Sequence, residues 1–336
     1  MATLKDVARA ANVSTATVCR VLNFDNSISI TTETRAKIFK AARELEYKTK
    51  SERKGGKPSR TLRVGIVQME YVENGGEDLY YLMMMSAVQK ECYRRNIESI
   101  VLFHDDNDGH LVFHGNAMLD GIISIGKLFS EQEFEEMEKL SSNIVLVDNY
   151  DDSGKYYCIY PNQNNIRRIA MDTIINNNHK LVCYLAPFDI INETLFVIGK
   201  EVDGLAKIID DNGIEIIRIS CGYDAGDAYE KLDSFLKTCD RVPTFYLLHT
   251  GVISSGVVKA LNENGLSIPR DASVLAATNT PDNETLVPPL SSIKVYYMSA
   301  AVEAVRCVRE GTKPSAIRKD IAIAASLVDR GSIGKI

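Results

Sequence analysis

From Leu62 onward the chain keeps returning to one pattern: a short apolar run, a turn, then a stretch whose apolar residues recur at helical spacing. The runs are RVGIVQM (63–69), IVLF (100–103), GIISI (121–125), IVLVD (144–148), LVCYL (181–185), IEIIRI (214–219), TFYLL (244–248) and SVLAA (273–277). Helical patterns lie between most of them, at Leu79–Arg95, Glu131–Leu140, Ile166–Ile175, Leu195–Ile209, Asp227–Leu236 and Val252–Asn264. Runs of this kind suit strands covered on both faces, and their alternation with helices implies parallel βαβ units. So many strands overfill one comfortable open sheet. Two consecutive α/β lobes with a cleft between them are the simplest solution, and ligands of such sheets sit at the carboxyl ends of the strands. No apolar run approaches the ~18–20 residues that cross a bilayer. Nor does the N-terminus carry a basic region, apolar core and cleavage site, so a cytoplasmic chain without membrane contact is expected.

The formal net charge of −6 hides a split. Residues 1–63 hold 14 Lys+Arg against 6 Asp+Glu, a balance of +8, while the other 273 residues hold 25 against 39, a balance of −14. A basic segment on an acidic body suits a polyanion-binding module joined to a regulatory or catalytic domain. Cys19, Cys92, Cys158, Cys183, Cys221, Cys239 and Cys307 are scattered, with no C-x-x-C pair. They read as small buried hydrophobes in a reducing compartment, with no metal implied.

The basic segment divides into three short helices and a linker. Leu4, Val7 and Ala8 mark one buried face over Leu4–Ala10, and Asn12 suits the left-handed turn that stops it. Ser14 caps a second helix that buries Val18, Val21 and Leu22 and runs into Asn23; Thr31 caps a third with Ile38, Ala41, Ala42 and Leu45 inward, and Tyr47 closes the unit. Two short helices joined by a tight turn can lay the second in the major groove of DNA. Its open face carries Thr15, Ala16, Thr17 and Arg20. Arg20 can fork onto a guanine edge, Thr15 and Ala16 can meet a thymine methyl, and the Ser14 and Thr17 hydroxyls can reach phosphates. Helical spacing alone also fits a plain three-helix bundle with a solvated face; the charge split and the basic linker favour nucleic acid.

TLKDVARAANVSTATVCRVLN followed by TTETRAKIFKAARELEY resembles the DNA-binding head of the LacI/GalR family of bacterial repressors. The likeness continues through RVGIV, DGIISI, IVLVDNY, NHKLVCYLA, IPRDASVLA and PPLSSI, and GIVQMEYVENGGEDLYYLMMMSAVQKEC resembles the branch governing galactose or β-galactoside genes. The resemblance implies an α/β protein with a helix-turn-helix head at 1–47, a basic linker at 48–61 and an effector-binding and dimerisation body at 62–336 built like a periplasmic sugar-binding protein. The lobes are expected at about 62–160 with 292–320, and about 161–291 with 321–336. It further implies a homodimer on a double-stranded, pseudopalindromic operator, with no cofactor and no catalysis, whose DNA affinity is coupled to a small-molecule, sugar-like effector through lobe movement. The DNA-contacting set on that reading is Leu4, Ser14, Thr15, Ala16, Thr17, Arg20, Asn23 and Thr31, with Lys50, Arg53 and Lys54 from the linker.

The chain departs from the family pattern in two places. Between Tyr47 and Leu62 there is no Leu, Ile, Val, Met or Phe to wedge into a minor groove, so Lys50, Arg53, Lys54 and Lys57 are expected to hold phosphates without a wedge. In the cleft, Tyr80, Tyr81 and Tyr223 stand where the family places aromatic contacts. The arginine usual after LVCYLA is absent, with Asn192 or Glu201 at the candidate positions. Thr278 and Asn279 replace an acidic or amide pair, Thr250 and Gly251 replace Asn-Asp, and Met85 replaces a basic residue. The expected effector set is Tyr80, Tyr81, Met85, Asn192, Tyr223, Thr250, Thr278 and Asn279. So many lost polar groups leave open a second reading, a DNA-binding dimer whose body is a scaffold or a protein-partner site. HDDNDGHLVFH (104–114) fails the calcium-loop register, because aligning Gly109 with the loop glycine puts Gly115 where a bidentate Glu belongs; it reads as a solvated loop. No G-x-S-x-G, Walker lysine loop or glycine-rich dinucleotide turn is present.

Overall fold

The computed structural model of the chain describes residues 3–22, 30, 31, 34, 37, 38, 40–42, 45, 47, 61–68, 79–104, 111–112, 119–126, 131–187, 209, 211–313 and 315–336. In the N-terminal unit, helix α1 (Leu4–Ala10) opens on a capping box: the Asp6 amide donates to the Thr3 hydroxyl at 3.3 Å, and the Asp6 carboxylate accepts from the Thr3 amide at 2.8 Å. The Thr3 hydroxyl, bonded to the same carboxylate, holds Asp6 below the usual carboxylate range. Asn12 takes φ 53°, and the Val13 amide reaches back to the Ala8 carbonyl at 3.0 Å, which ends α1 and turns the chain into α2 (Thr15–Leu22). Ser14 caps α2, its hydroxyl accepting from the Thr17 amide at 3.0 Å, and Thr31 repeats the device with Thr34 at 3.2 Å. Val7, Ala8, Ala11, Val18, Val21, Ile38 and Ala41 form the buried core. Each Val or Ile removed from water contributes roughly 1.5–3 kcal/mol, enough in sum to hold a unit this small. Leu45, expected inward, is 37% exposed, whereas Ala42 and Tyr47 pack against the core as expected.

The body holds two sheets. The first runs in the order β12-β6-β5-β4-β1-β2-β3, from β1 (Arg63–Gln68), β2 (Glu98–His104), β3 (Leu111–Val112), β4 (Gly121–Ile125), β5 (Ile144–Val147), β6 (Tyr157–Pro161) and β12 (Asp320–Ile323). The second runs β13-β11-β10-β9-β7-β8, from β7 (Leu181–Pro187), β8 (Glu215–Cys221), β9 (Phe245–Leu248), β10 (Ser273–Ala276), β11 (Ser291–Lys294) and β13 (Ser326–Val328). The inner strands pair in parallel, β1 with β4, β4 with β5, β7 with β9 and β9 with β10, whereas β3 and β13 lie antiparallel on the edges. The chain therefore passes from the first sheet to the second after Pro161, back after Lys294, and over again after Ile323.

Helices α3 (Leu79–Arg94), α4 (Glu131–Leu140), α5 (Gln163–Asn176), α6 (Ala225–Thr238), α7 (Ser254–Glu263), α8 (Asp282–Thr285) and α9 (Tyr297–Glu310) complete the body. GIISI, IVLV, FYLL and SVLA are buried throughout, as continuous apolar strands under helices on both faces must be. On the second sheet, Ala228, Leu232, Val257 and Leu261 cover one face, and Ile166, Ala170, Met171 and Ile174 the other. The expected helix Leu195–Ile209 lies, but for Ile209, outside the described residues. Of the cysteines, Cys92, Cys158, Cys183, Cys221 and Cys307 are buried as expected and Cys239 is half-buried, but Cys19 is exposed, because it lies on the face of α2 opposite the buried Val18 and Val21. Among the described residues, no helix is long and apolar enough to cross a membrane, and no group of His, Cys, Asp and Glu could hold a metal ion.

Candidate nucleic-acid interface and ligand cleft

Helix α2 turns Val18 and Val21 into the core and leaves Ser14, Thr15, Ala16, Cys19 and Arg20 exposed, with Thr17 half-buried. The Ser14 and Thr17 hydroxyls lie 2.8 Å apart at the helix N-terminus. That end bears the positive pole of the backbone dipoles, so a small-residue tip followed one turn later by Arg20 presents a cationic, narrow ridge. Thr31 is exposed at its own helix start and bonded to Thr34, whereas Leu4 is half-buried against the core. Asn23, Lys50, Arg53, Lys54 and Lys57 lie outside the described residues.

In the body the chemistry gathers at the carboxyl ends of the strands. Beyond β5, Asp148 takes φ 59°, and the Tyr81 phenol, at the start of α3, donates to its carboxylate at 2.8 Å. Tyr80 meets Tyr81 edge to face at 5.1 Å, and Tyr150 meets Tyr160 in the same way at 5.4 Å. The first lobe thus offers several aromatic rings and one carboxylate whose orientation is fixed. Met85, further along α3, is half-buried.

On the second lobe, Tyr223 follows β8 and is half-buried. Thr250 is 4% exposed and accepts from the Val252 amide at 3.4 Å, while Thr278 accepts from the Gly251 amide at 2.7 Å. Asn279 accepts from the Ser292 hydroxyl at 2.6 Å and from Arg330 at 2.7 Å. Thr250, Thr278 and Asn279 therefore build the loops at these strand ends. Asn192 lies outside the described residues. Sequence reasoning missed His249, the first residue after β9, whose Nδ1 lies 2.7 Å from the Tyr184 phenol. Burial pushes Tyr184 far above its ordinary range, so that phenol stays protonated. It missed Asp148 and Tyr150 as well. Tyr81 and Asp148 stand 67 residues apart, and Tyr184 and His249 65, so only the folded sheets bring either pair together.

Residues 3–50 match the model of bacterial regulatory proteins of the lacI family, and residues 212–333 match a periplasmic binding protein-like domain. Residues 3–50 are thus a lacI-family DNA-binding head. The chain is a DNA-binding transcriptional regulator. It is 29% identical to the HTH-type transcriptional regulator GalR of Streptococcus thermophilus over 88% of both chains, and 25% identical to the regulator GanR of Bacillus subtilis (strain 168), covering 99% of this chain and 100% of that one. The lac repressor dimer bound to operator and an anti-inducer shares the fold, with a TM-score of 0.65 at 19% identity over 98% of each chain.

Proposed function

We propose that the protein is a homodimeric repressor of sugar-utilisation genes, without enzymatic activity, that acts in the cytoplasm and leaves its operator when a hydroxyl-rich effector occupies the cleft. The exposed face of α2, with Arg20 one turn beyond a small-residue tip, carries this reading. The names of its relatives support the regulatory role, since GalR and GanR are both transcriptional regulators, and transcriptional regulators of the same fold hold lactose and cellobiose. Aromatic rings at both sets of strand ends and the Tyr81–Asp148 bond suit sugar faces and hydroxyls. The cleft contacts assigned here are Tyr80, Tyr81, Tyr223 and Asp148, with His249 in place of the loop-building threonines. For the dimer face, the groove between α3 and α9, with Leu82, Met83, Lys90, Tyr297 and Met298 on its walls, leaves Leu82 and Met298 exposed.

A thermal-shift screen of galactose, lactose, other mono- and disaccharides and sugar phosphates tests the effector. A true effector at 100 times its dissociation constant adds about 2.7 kcal/mol to the native state and raises the melting temperature accordingly. The same sugar must also lower affinity for operator DNA in an anisotropy titration. No shift with any sugar, alongside intact operator binding, would favour the scaffold reading suggested by the lost polar positions.

A further inference from the structure

The three passages of chain between the lobes are bonded to one another. At the first, the Asn162 amide donates to the Ile323 carbonyl at 2.8 Å, and Asn165, in the first turn of α5, accepts from the Ala325 amide at 2.7 Å. At the second, the Tyr296 phenol and the Ser326 hydroxyl lie 2.8 Å apart. Ile323, Ala325 and Ser326 all belong to the third passage. This segment then enters β13 and reaches Arg330, which is nearly buried. One guanidinium nitrogen donates to the Leu290 carbonyl at 2.9 Å and the Ser292 hydroxyl at 2.7 Å; the other donates to Asn279 and to Glu284, each at 2.7 Å. Asn279 stands in the loop after β10, at the carboxyl edge of the second sheet.

We propose that residues 323–330 tie the loop after β10 to the lobe hinge, with Asn165 and the Tyr296–Ser326 pair setting the balance between lobe positions and Arg330 transmitting displacement of the loop to it. This deepens the regulatory reading above and rests on it. Coupling between two sites needs a physical element that both sites bias, and a single continuous segment bonded to the loop at one end and to both other passages at the other supplies that connection. Asn165, Tyr296 and Arg330 are positioning residues: none need touch the effector. A planar, forked guanidinium is required because four acceptors in different directions are served at once, which an ammonium cannot reproduce.

The test uses the full-length protein with Asn165→Ala and Tyr296→Phe combined, and separately Arg330→Lys. On this proposal the two hydrogen bonds are made in one lobe arrangement only, so losing both shifts the balance toward the other by about five- to a hundredfold. The double variant should therefore change ligand-free operator affinity by that factor while its melting temperature moves by only a few degrees. Hydrogen exchange at Asn162 and Ala325 should rise at least severalfold, with the amides of β4 and β9 unchanged. Arg330→Lys should keep galactose affinity within about threefold yet blunt galactose-induced operator release; the wild type's response to galactose is the control for the effector reading.

Unchanged operator affinity with unchanged exchange would overturn the hinge role. Full galactose response in Arg330→Lys would overturn the transmission role. Should the wild type bind no operator, the regulatory reading fails by itself, and the hinge is then judged on exchange together with the radius of gyration from small-angle scattering, where no difference between wild type and double variant sinks it. Should galactose not bind the wild type, exchange at residues 279–284 in Arg330→Lys decides transmission: rates equal to wild type overturn it.

Discussion

Arg20 and His179 show how opposite environments set what one residue does. Arg20 is exposed on a helix whose other face is committed to the core, so contact with duplex DNA would leave that core intact. Arg20→Ala should cost about 1–3 kcal/mol of operator affinity and relax preference at one base position, measured by anisotropy on a set of single-base operator variants. An equal loss on random DNA would remove Arg20 from base readout. His179 is 1% exposed, with Nδ1 3.0 Å from the Thr244 hydroxyl and Nε2 3.0 Å from the Gly334 carbonyl. A carbonyl only accepts, so Nε2 carries the proton and Nδ1 accepts from Thr244. Burial holds the imidazole below its ordinary value, against a smaller opposing effect of the Gly334 bond. The unfolded chain therefore binds the proton first as pH falls, and stability present above about 6.5 is lost below it. Urea midpoints between pH 7.5 and 5 should fall less steeply in His179→Gln than in the wild type, even though the variant starts lower. Parallel curves would show that His179 is not linked to folding.

Between elements, α6 and α7 approach closely at a glycine. A Cβ on Gly256 would meet the Ala225 carbonyl oxygen at 1.8 Å, and backbone cannot give way there as a long side chain could. Gly256→Ala should therefore destabilise the second lobe by at least about 1–3 kcal/mol, read as a melting temperature several degrees lower, with head folding unaffected. An unchanged melting point would mean that α7 slides freely over α6. Which elements the sequence disclosed follows from how they are buried. GIISI and IVLV are apolar end to end because helices cover both their faces, so their positions are plain in the text. DIAI and SLV, which became β12 and β13, lie at sheet edges, half-buried and short, and their pattern is indistinguishable from loop. Helix α9 was equally hidden: Tyr296 at its start provides no side-chain cap, so no polar signal announces it. The head was legible down to the turn residue Asn12 and the Ser14 cap, because both are local devices. Cleft pairs such as Tyr81 with Asp148 were not, because no local rule connects residues on different strands.

For the whole molecule, the division of charge predicts how DNA affinity responds to salt. With residues 1–63 at +8 and the rest of the chain at −14, the protein should bind duplex strongly at low ionic strength and lose affinity steeply as counterions return, the slope of log affinity on log salt reporting the number of phosphates neutralised. Lys54→Ala should weaken specific and random DNA alike and reduce that slope by about one. Because the linker sequence offers no large apolar side chain, circularly permuted operator fragments should migrate without the anomaly of a sharp kink; a pronounced kink would require another wedge. The triple passage of chain between the sheets bears on how such a protein is made. The first sheet contains β12, which is synthesised after every strand of the second sheet except β13, so a nascent chain emerging from the ribosome must wait for residues 320–323 before the earlier lobe acquires its final edge. A chain truncated before Asp320 therefore lacks both β12 and β13, one edge strand from each sheet.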